Sequence, residues 1–167
     1  MQRYIGTKII LAQSMTRGEY NEYRGWPLPP DEAASEAGYL VEYTDGGAPN
    51  HAQHAGYISW SPAFSFELAY RRSDGLPFGL AVEAMKAGQR VARAGWNGKG
   101  MFVYLVQGST FAVNRAPLLG IYPAGTEITY RPHMDLRTAD GSISTWAPSG
   151  SDALAEDWYI LKEEGHE

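Results

Sequence analysis

The sequence predicts an α+β fold made of two small modules, each an antiparallel β-sheet with one packed helix. Short aromatic and β-branched runs joined by turn signals outnumber helical patterns, and no strand–helix–strand alternation typical of a parallel sheet occurs. The 167 residues, 44% of them hydrophobic, suffice for one ordinary domain or two small ones. We place the boundary in "SDGLP", which gives modules of residues 1–74 and 75–167.

The first module begins with a predicted strand from Tyr4 to Leu11. The tyrosine-rich segment "MTRGEYNEYRGW" follows, and its helically spaced aromatic residues indicate either a local core or an exposed protein-binding strip. Two further strands, "YLVEY" and "GYISWS", are connected through a turn at Asp45–Gly46, and Pro62 ends the second. The segment "AFSFELAYRR" is predicted to be a packing helix, because Phe64 and Leu68 recur at helical spacing.

The second module begins with a helix from Phe78 to Ala87, with Pro77 in its first turn and Gly88 as a left-handed cap. The segments "QRVARAGW" and "GMFVYLVQG" are strand candidates on either side of a glycine-rich loop. The segment "EITYRPHMDLRTADGSISTWAP" supplies two more strands, which turn at Asp140–Gly141. "DALAEDWYIL" ends the module as a helix leading into a strand or as a strand alone, and Glu156–Asp157 is assigned to solvated surface.

Composition excludes several classes of function. The net charge of -5 and the pI near 5.4 argue against a sequence-independent grip on nucleic-acid polymers. The sequence contains no cysteine, which excludes disulfides, thiolate nucleophiles and cysteine-ligated zinc. No segment has the apolar length of a membrane span or of a signal peptide, so we expect a cytoplasmic protein without membrane contact.

The glycine-rich loop "ARAGWNGKG" is the most unusual stretch, because it combines three glycines with Trp96. In one interpretation it is a hairpin turn at Asn97–Gly98 whose indole covers the edge of the core. In the other, the indole is a platform for a planar base beside backbone donors for phosphate. The spacing of these residues leaves both interpretations open.

A second unusual segment, "NRAPLLGIYPAGTEITYRPHMDLRTADG", concentrates Arg115, Arg131, Arg137 and His133 where regular structure is broken. Guanidinium groups fit phosphate oxygens, although solvated loop arginines and a His133–Asp135 pair are the alternative. As acid and base, His133 and Asp135 would suit a nucleotide-processing enzyme. However, the sequence has no P-loop, no "GxGxxG" and no "GxSxG" motif, so we expect no catalytic residues, metal ligands or cofactor.

The motifs "RVARAGWNGKGM", "YRPHMDLRTADG" and "LAEDW" occur in this order between about residues 76 and 160. In these blocks the chain resembles the phage-encoded Thoeris anti-defence proteins of the second type, a family formerly described as a domain of unknown function. The resemblance implies a non-enzymatic sponge that binds cyclic nucleotide immune signals without cleaving them. These signals are glycocyclic ADP-ribose (gcADPR) and, for some relatives, cyclic dinucleotides of the CBASS type.

The resemblance also implies a homotetramer with ligand pockets between subunits, acting in the cytoplasm of the infected bacterial host. In the "GWNG" block the indole of Trp96 would stack on adenine, and the neighbouring amides would contact phosphate or ribose. The implied ligand-binding residues are Trp96, Asn97, Gly98, Lys99, Asn114, Arg115, Arg131, His133, Asp135 and Thr138.

Residues 1–74 lie outside the resemblance and look like a small accessory module of phage proteins. The aromatic residues of this module motivate a third hypothesis, in which the chain is a structural or interaction component of a phage. The sequence does not assign the module a role.

Overall fold

A computed structural model describes residues 1–3 and 7–162 of the chain. The chain divides into two compact units, Met1–Arg71 and Arg72–Glu167. In both units helices accompany antiparallel sheets, so the predicted α+β class is confirmed. The division lies close to the boundary that the "SDGLP" segment suggests.

The elements of the first unit, within its described residues, are β1 (Ile10–Ser14), α1 (Arg17–Arg24), β2 (Gly38–Tyr43), β3 (Tyr57–Pro62) and α2 (Ala63–Ala69). The strands form one antiparallel sheet in the order β1–β2–β3. Strands β2 and β3 are the two predicted strands, and β3 ends at the predicted proline. The predicted strand Tyr4–Leu11 begins too early: residues 4–6 lie outside the described residues, and residues 7–9 are not in a strand.

Helix α1 is fixed at both ends by its own sequence. The Thr16 hydroxyl accepts a hydrogen bond from the Glu19 N–H, and the Glu19 carboxylate accepts one in return from the Thr16 N–H at 2.7 Å. Gly25 ends the helix in the left-handed conformation, at φ 67°. Tyr20 lies on the buried face against Leu40 and Ile58, so this part of the tyrosine-rich segment forms a local core.

Helix α2 forms where the periodicity predicts it, but it does not pack as predicted. Phe64 and Leu68 are 76% and 65% exposed. Phe66 is the aromatic residue that packs, stacked on Tyr39 and Tyr70 with ring centroids 4.1 and 4.9 Å away. Helical spacing identifies residues that share a face, but it does not say which face meets the sheet.

The elements of the second unit, within its described residues, are α3 (Phe78–Lys86), β4 (Val91–Arg93), β5 (Phe102–Val106), β6 (Ser109–Ala112), β7 (Glu127–Tyr130), β8 (His133–Arg137), β9 (Ile143–Trp146), α4 (Gly150–Ala153) and β10 (Trp158–Ile160). Five strands form an antiparallel sheet in the order β10–β4–β5–β8–β9, and β6 pairs with β7 in a separate ribbon. The turn between β8 and β9 lies at the predicted Asp140–Gly141.

Helix α3 covers one face of the five-stranded sheet. Pro77 is its N-cap residue, one position before the predicted first turn, and Gly88 follows the helix at φ 86°. Ala81 and Met85 are buried on the helix and belong to one core cluster with Val103 and Trp158. This core supports the sheet end where the glycine-rich loop joins β4 to β5.

The β6–β7 ribbon is the part of the second unit that the sequence analysis does not predict. Pro132 lacks an N–H for the ladder and separates β7 from β8. Opposite it, Gly108 at φ 82° separates β5 from β6, and a Cβ at this glycine would overlap the Tyr130 carbonyl oxygen. The ribbon therefore continues the β5–β8 pair beyond the end of the sheet.

Candidate functional site

The glycine-rich loop, residues 94–101, is anchored at its start by Asp157, which directly precedes β10. The Gly95 N–H donates to the Asp157 carboxylate at 2.7 Å, and the Ala94 N–H donates to the Asp157 carbonyl at 3.1 Å. The side chain of Arg93 donates to the same carboxylate at 2.8 Å. Asp157 is therefore a structural anchor of the loop, and its assignment to solvated surface is wrong.

The indole of Trp96 is half-buried at the edge of the core. Its ring lies edge-on to Trp158 at 5.3 Å and to Trp146 at 6.0 Å between centroids. Its N–H donates to Asp152 at 3.1 Å. Trp96 thus has a packing role. Its role as a base-stacking platform stays a prediction, and only the exposed part of the ring could stack on a base.

Asp152 joins the loop to β4 and to helix α4. Its carboxylate accepts hydrogen bonds from the Arg93 guanidinium at 2.8 Å and from the Ser149 hydroxyl at 2.6 Å. Burial acts to raise the pKa of Asp152, but the bonds from Ser149, Arg93 and Trp96 outweigh it and hold the pKa far below its usual range. Asp152 is therefore an ionised structural group at the base of the loop.

The end of the loop lies beside the turn between β8 and β9. A Cβ at Gly98 would overlap the sulfur of Met101 and lie 3.1 Å from the Cβ of Ala139, so a larger residue here would have to displace the Met101 side chain. The Arg137 guanidinium donates to the Gly100 carbonyl at 2.8 Å. Thr138 follows directly in the chain, but its hydroxyl is bonded within the β8–β9 turn, to Asp140 and Ser142.

Asn97 and Lys99 lie at the tip of the loop with exposed side chains. Within residues 1–3 and 7–162, neither side chain has a hydrogen-bond or ion-pair partner. Both are therefore free to contact a ligand, as the sequence analysis expects, although no contact in the structure tests that role.

His133 and Asp135 lie on the same face of β8 but are not joined by a hydrogen bond. His133 Nε2 is 3.6 Å from Asp135 Oδ1, beyond hydrogen-bonding distance. His133 Nδ1 donates to the Arg131 carbonyl at 2.9 Å, so the bond that orients the ring is to the backbone and not to Asp135. Asp135 Oδ1 is buried without a hydrogen-bond partner in the described part of the chain. The geometry is not that of an acid–base pair ready to act.

Asn114, Arg115 and Arg131 lie away from the glycine-rich loop. Asn114 and Arg115 follow β6 at the far end of the ribbon and are exposed, as is Arg131 at the break between β7 and β8. Within the described residues, no hydrogen bond, ion pair or ring contact joins these three residues to the glycine-rich loop.

On the sheet face opposite α3, two aromatic side chains that the sequence does not assign to a site, Phe102 and Tyr104, lie beside Arg137 and Asp135, which it singles out. The strand register places Phe102 beside Arg137, Arg137 beside Ile143, and Tyr104 beside Asp135. Alternate residues of a strand share a face, so these side chains form two rows across β5, β8 and β9. The alternation in "FVYLV" is the signal that identifies Phe102 and Tyr104.

Two guanidinium groups lie over the ring of Phe102. The Cζ atoms of Arg90 and Arg137 are 5.2 and 5.8 Å from its centroid. Neither arginine has an ion pair with a carboxylate among the described residues. An open depression of about 360 Å³ adjoins them, lined among others by Gln89, Arg90, Phe102 and Tyr104. We call this the arginine face.

The glycine-rich loop connects the two sides of the sheet. At its start, Trp96 packs with the core on the α3 side. At its end, Gly100 is held by Arg137 of the arginine face. The exposed tip with Asn97 and Lys99 lies between them. The predicted residues of the loop and the unpredicted residues of the arginine face thus lie next to each other at one end of the sheet.

Two structural features bear on function class. In the described part of the chain, no group of three histidine or acidic side chains is placed to hold a metal ion. Within the same residues, no helix is both long and apolar enough to cross a membrane.

A family model for the Tad2-like, or Thoeris anti-defense 2-like, domain matches residues 76–161. The chain belongs to this family. A protein described as Thoeris anti-defense 2, from Bacillus phage SP01, is 40% identical over 86 residues, which cover 52% of this chain and 94% of the relative. The matched domain runs from just before α3 through β10, so it includes the glycine-rich loop and the arginine face. Residues 1–75 lie outside the family match.

Proposed function

We propose that the Thoeris anti-defense 2-like domain binds a cyclic nucleotide immune signal and sequesters it without cleaving it. Membership of the family supports a phage anti-defence role. The ligands proposed are gcADPR and, as a second class, cyclic dinucleotides. The protein would act in the cytoplasm of the infected host as a binding protein, with no catalytic residue, metal or cofactor.

The observation that carries the proposal is the pair of arginines over Phe102, next to the loop of Asn97 and Lys99. Cyclic nucleotides present phosphates to guanidinium and ammonium groups and bases to aromatic rings. Arg90 and Arg137 have no carboxylate partner among the described residues, so a phosphate would not have to displace one. The proposed ligand lies against the arginine face and the tip of the glycine-rich loop.

Sequestration without cleavage is supported by the arrangement of His133 and Asp135. These two residues lack the hydrogen bond that would make one orient the other. The carboxylates near the loop, Asp152 and Asp157, are already bonded to Arg93. A bound nucleotide would therefore meet cations and donors rather than an activated nucleophile.

A homotetramer is part of the proposal, because the predicted residues lie at two ends of one chain. The ribbon end carries Asn114 and Arg115, and exposed apolar side chains follow them in the chain: Leu119, Ile121 and Tyr122 are 44–67% exposed. Such a group is typical of a protein contact. A second subunit docked there would bring its own cations to the first subunit's ligand.

The experiment is a titration of gcADPR and of cyclic dinucleotides into the full chain and into Arg90→Gln. Arg90 donates no hydrogen bond to another described residue, so the variant removes charge with little effect on folding. Loss of one charge-assisted contact, about 1.5–3 kcal/mol, weakens binding at least tenfold. Lys86→Gln, which removes an exposed cation paired with Glu83, is the matched control and should bind as the parent does. Equal affinity of the parent, Arg90→Gln and Lys86→Gln would show that the arginine face does not bind the ligand.

A further inference from the structure

The first unit contains an open sheet edge, the outer side of β1. The proposed role of the anti-defence domain does not involve this edge. We propose that β1 pairs with β1 of a second copy of the chain, antiparallel, about a two-fold axis through Ala12. The three-stranded sheets of two copies would then form one continuous sheet of six strands. This proposal concerns residues outside the family match and does not depend on ligand binding.

The register of β1 shows which of its backbone groups are available. Ser14 lies opposite Tyr39, so Met15 lies opposite Gly38, and the Met15 N–H donates to the Gly38 carbonyl at 2.9 Å. In an antiparallel pair, hydrogen-bonded and non-hydrogen-bonded positions alternate. The backbone groups of Leu11 and Gln13 therefore point toward β2. The N–H and C=O groups of Ile10, Ala12 and Ser14 point outward, away from the sheet.

The opposite edge of the same sheet is partly closed. The side-chain amide of Asn50 donates to the Ile58 carbonyl and accepts from the Ile58 N–H, both at 2.8 Å, so it satisfies the outward groups of the second residue of β3. Pro62 ends that strand without an N–H. The two edges thus differ in degree: β3 is interrupted at Ile58 and at Pro62, whereas no described residue covers any of the outward groups of β1.

The edge of β1 also lacks the side chains that usually prevent pairing. The segment from Ile9 to Ser14 has no charged residue and no proline. Its large apolar residues are exposed, Ile9 by 44% and Leu11 by 59%. The nearest cation, Lys8, is 2.9 Å from the Asp45 carboxylate, so its charge is compensated. Two such edges can approach without repulsion between like charges.

A second copy fits this edge because the strand is complementary to itself. With the axis at Ala12, Ile10 of one copy faces Ser14 of the other, and the outward groups of both strands form a hydrogen-bonded ladder. Leu11 faces Gln13, and the next pair brings Ile9 to Met15. Each pair joins an apolar residue to a small or uncharged one, so no charge is buried. The axis places the two Ala12 side chains directly opposite each other.

The test uses the absence of cysteine from the sequence. In Ala12→Cys, facing Cα atoms about 5.5 Å apart lie within the range of a disulfide. Mild oxidation of the full chain should give a covalent dimer of Ala12→Cys. The matched control is Ser65→Cys, at an exposed position of α2, and should remain monomeric on a denaturing gel. Equal crosslinking of the two variants, or none at position 12, would overturn the proposal.

A second measurement separates β1 pairing from any contact made by the anti-defence domain. Two variants carry the added changes Ile10→Cys and Ser14→Cys, which face each other across the axis, together with either Ala12→Glu or Ala12→Lys. Each variant alone places like charges across the axis, so it should crosslink poorly. A mixture of the two variants places opposite charges there and should crosslink several-fold better. Far-ultraviolet circular dichroism checks that each variant is folded. If mixing opposite charges gives no more crosslink than either variant alone, β1 does not pair with itself.

Discussion

Both units hold a loop with a partly buried carboxylate, but the carboxylates have different side-chain partners. In the second unit Asp152 and Asp157 bind Arg93, whose guanidinium stays charged and donates several hydrogen bonds in a fixed plane. In the first unit Glu42 accepts from the His54 ring at 2.7 Å and from the Gly56 N–H at 2.9 Å. An imidazole carries two ring nitrogens, so it can contact a second partner while it bonds to the carboxylate.

The imidazole also connects the carboxylate to a third group. His54 Nε2 is 3.0 Å from the Tyr23 hydroxyl, which donates to Gln53 at 2.8 Å. The first unit thus connects its long β2–β3 loop to helix α1 through a series of side-chain hydrogen bonds. The second unit holds its glycine-rich loop through the Asp157 carboxylate, which is paired with Arg93 and accepts from the Gly95 N–H. The two loops are therefore fastened by different chemistry, one by hydrogen bonds in series and one by a shared carboxylate.

The largest effect is expected for Asp152→Ala. The change leaves the Arg93 guanidinium and the Trp96 N–H without their shared acceptor at a site where Asp152 is only 8% exposed. Breaking such a pair from one side costs about 3 kcal/mol of unfolding free energy. Urea unfolding followed by tryptophan fluorescence measures it. Asp74→Ala, which breaks an exposed ion pair with Arg72, is the control and should unfold like the parent. Equal midpoints for both variants would contradict the anchoring role.

A smaller effect is expected in the first unit for Tyr23→Phe. This change removes one hydroxyl that bonds to His54 and Gln53 and leaves the aromatic ring stacked on His51. One such hydrogen bond contributes about 1 kcal/mol. Amide hydrogen exchange across residues 44–56 should become faster, while exchange in residues 94–101 stays unchanged. Tyr39→Phe, which removes an exposed hydroxyl bonded to Glu67, is the control for the loss of a hydroxyl. Unchanged exchange in the β2–β3 loop would show that the chain of hydrogen bonds does not hold it.

Local sequence predicts the elements well where a pattern and its punctuation agree. Helix α3 lies between Pro77 and Gly88, and the β8–β9 turn lies at Asp140–Gly141, as predicted. The candidate loop is also visible, because its glycines mark a break in regular structure and Gly100 adopts a positive φ of 71°. These features depend on neighbouring residues, which a sequence displays directly.

The features that sequence does not reveal depend on partners far apart in the chain. His54 and Tyr23 are 31 residues apart, and Asp157 and Arg93 are 64 apart. No local pattern joins them. The S-x-x-D spacing of Ser149 and Asp152 signals a capping box, but it does not show that Arg93 shares the carboxylate.

The smallest effect is expected in acid, where the stabilising contributions of Glu42 and Asp152 should be lost one after the other as the pH falls. The hydrogen bond from His54 lowers the pKa of Glu42 from its ordinary value of 4.5, and the pKa of Asp152 is lowered from 3.8. A depressed carboxyl pKa stabilises the fold above the unfolded value, and this stability is lost as pH falls through the folded value. The Glu42 contribution should therefore begin to fall near pH 4.5 and that of Asp152 below pH 3.8.

The indole N–H resonances of Trp60 and Trp96 report the two units separately, since Trp60 donates to the Met15 carbonyl and Trp96 to Asp152. In an acid titration the Trp60 signal should change first. Glu42→Gln should make it less dependent on pH. A Trp96 signal that changes first would reverse the proposed order.

The most direct measurement of the central proposal is recovery of an unaltered ligand. The full chain is incubated with gcADPR, separated from free nucleotide by filtration, heated to denature the protein, and the released small molecule is identified by mass spectrometry. We predict intact gcADPR in stoichiometric amount from the protein fraction, and markedly less from Arg90→Gln. A cleaved product, or no nucleotide retained by the folded parent protein, would contradict sequestration.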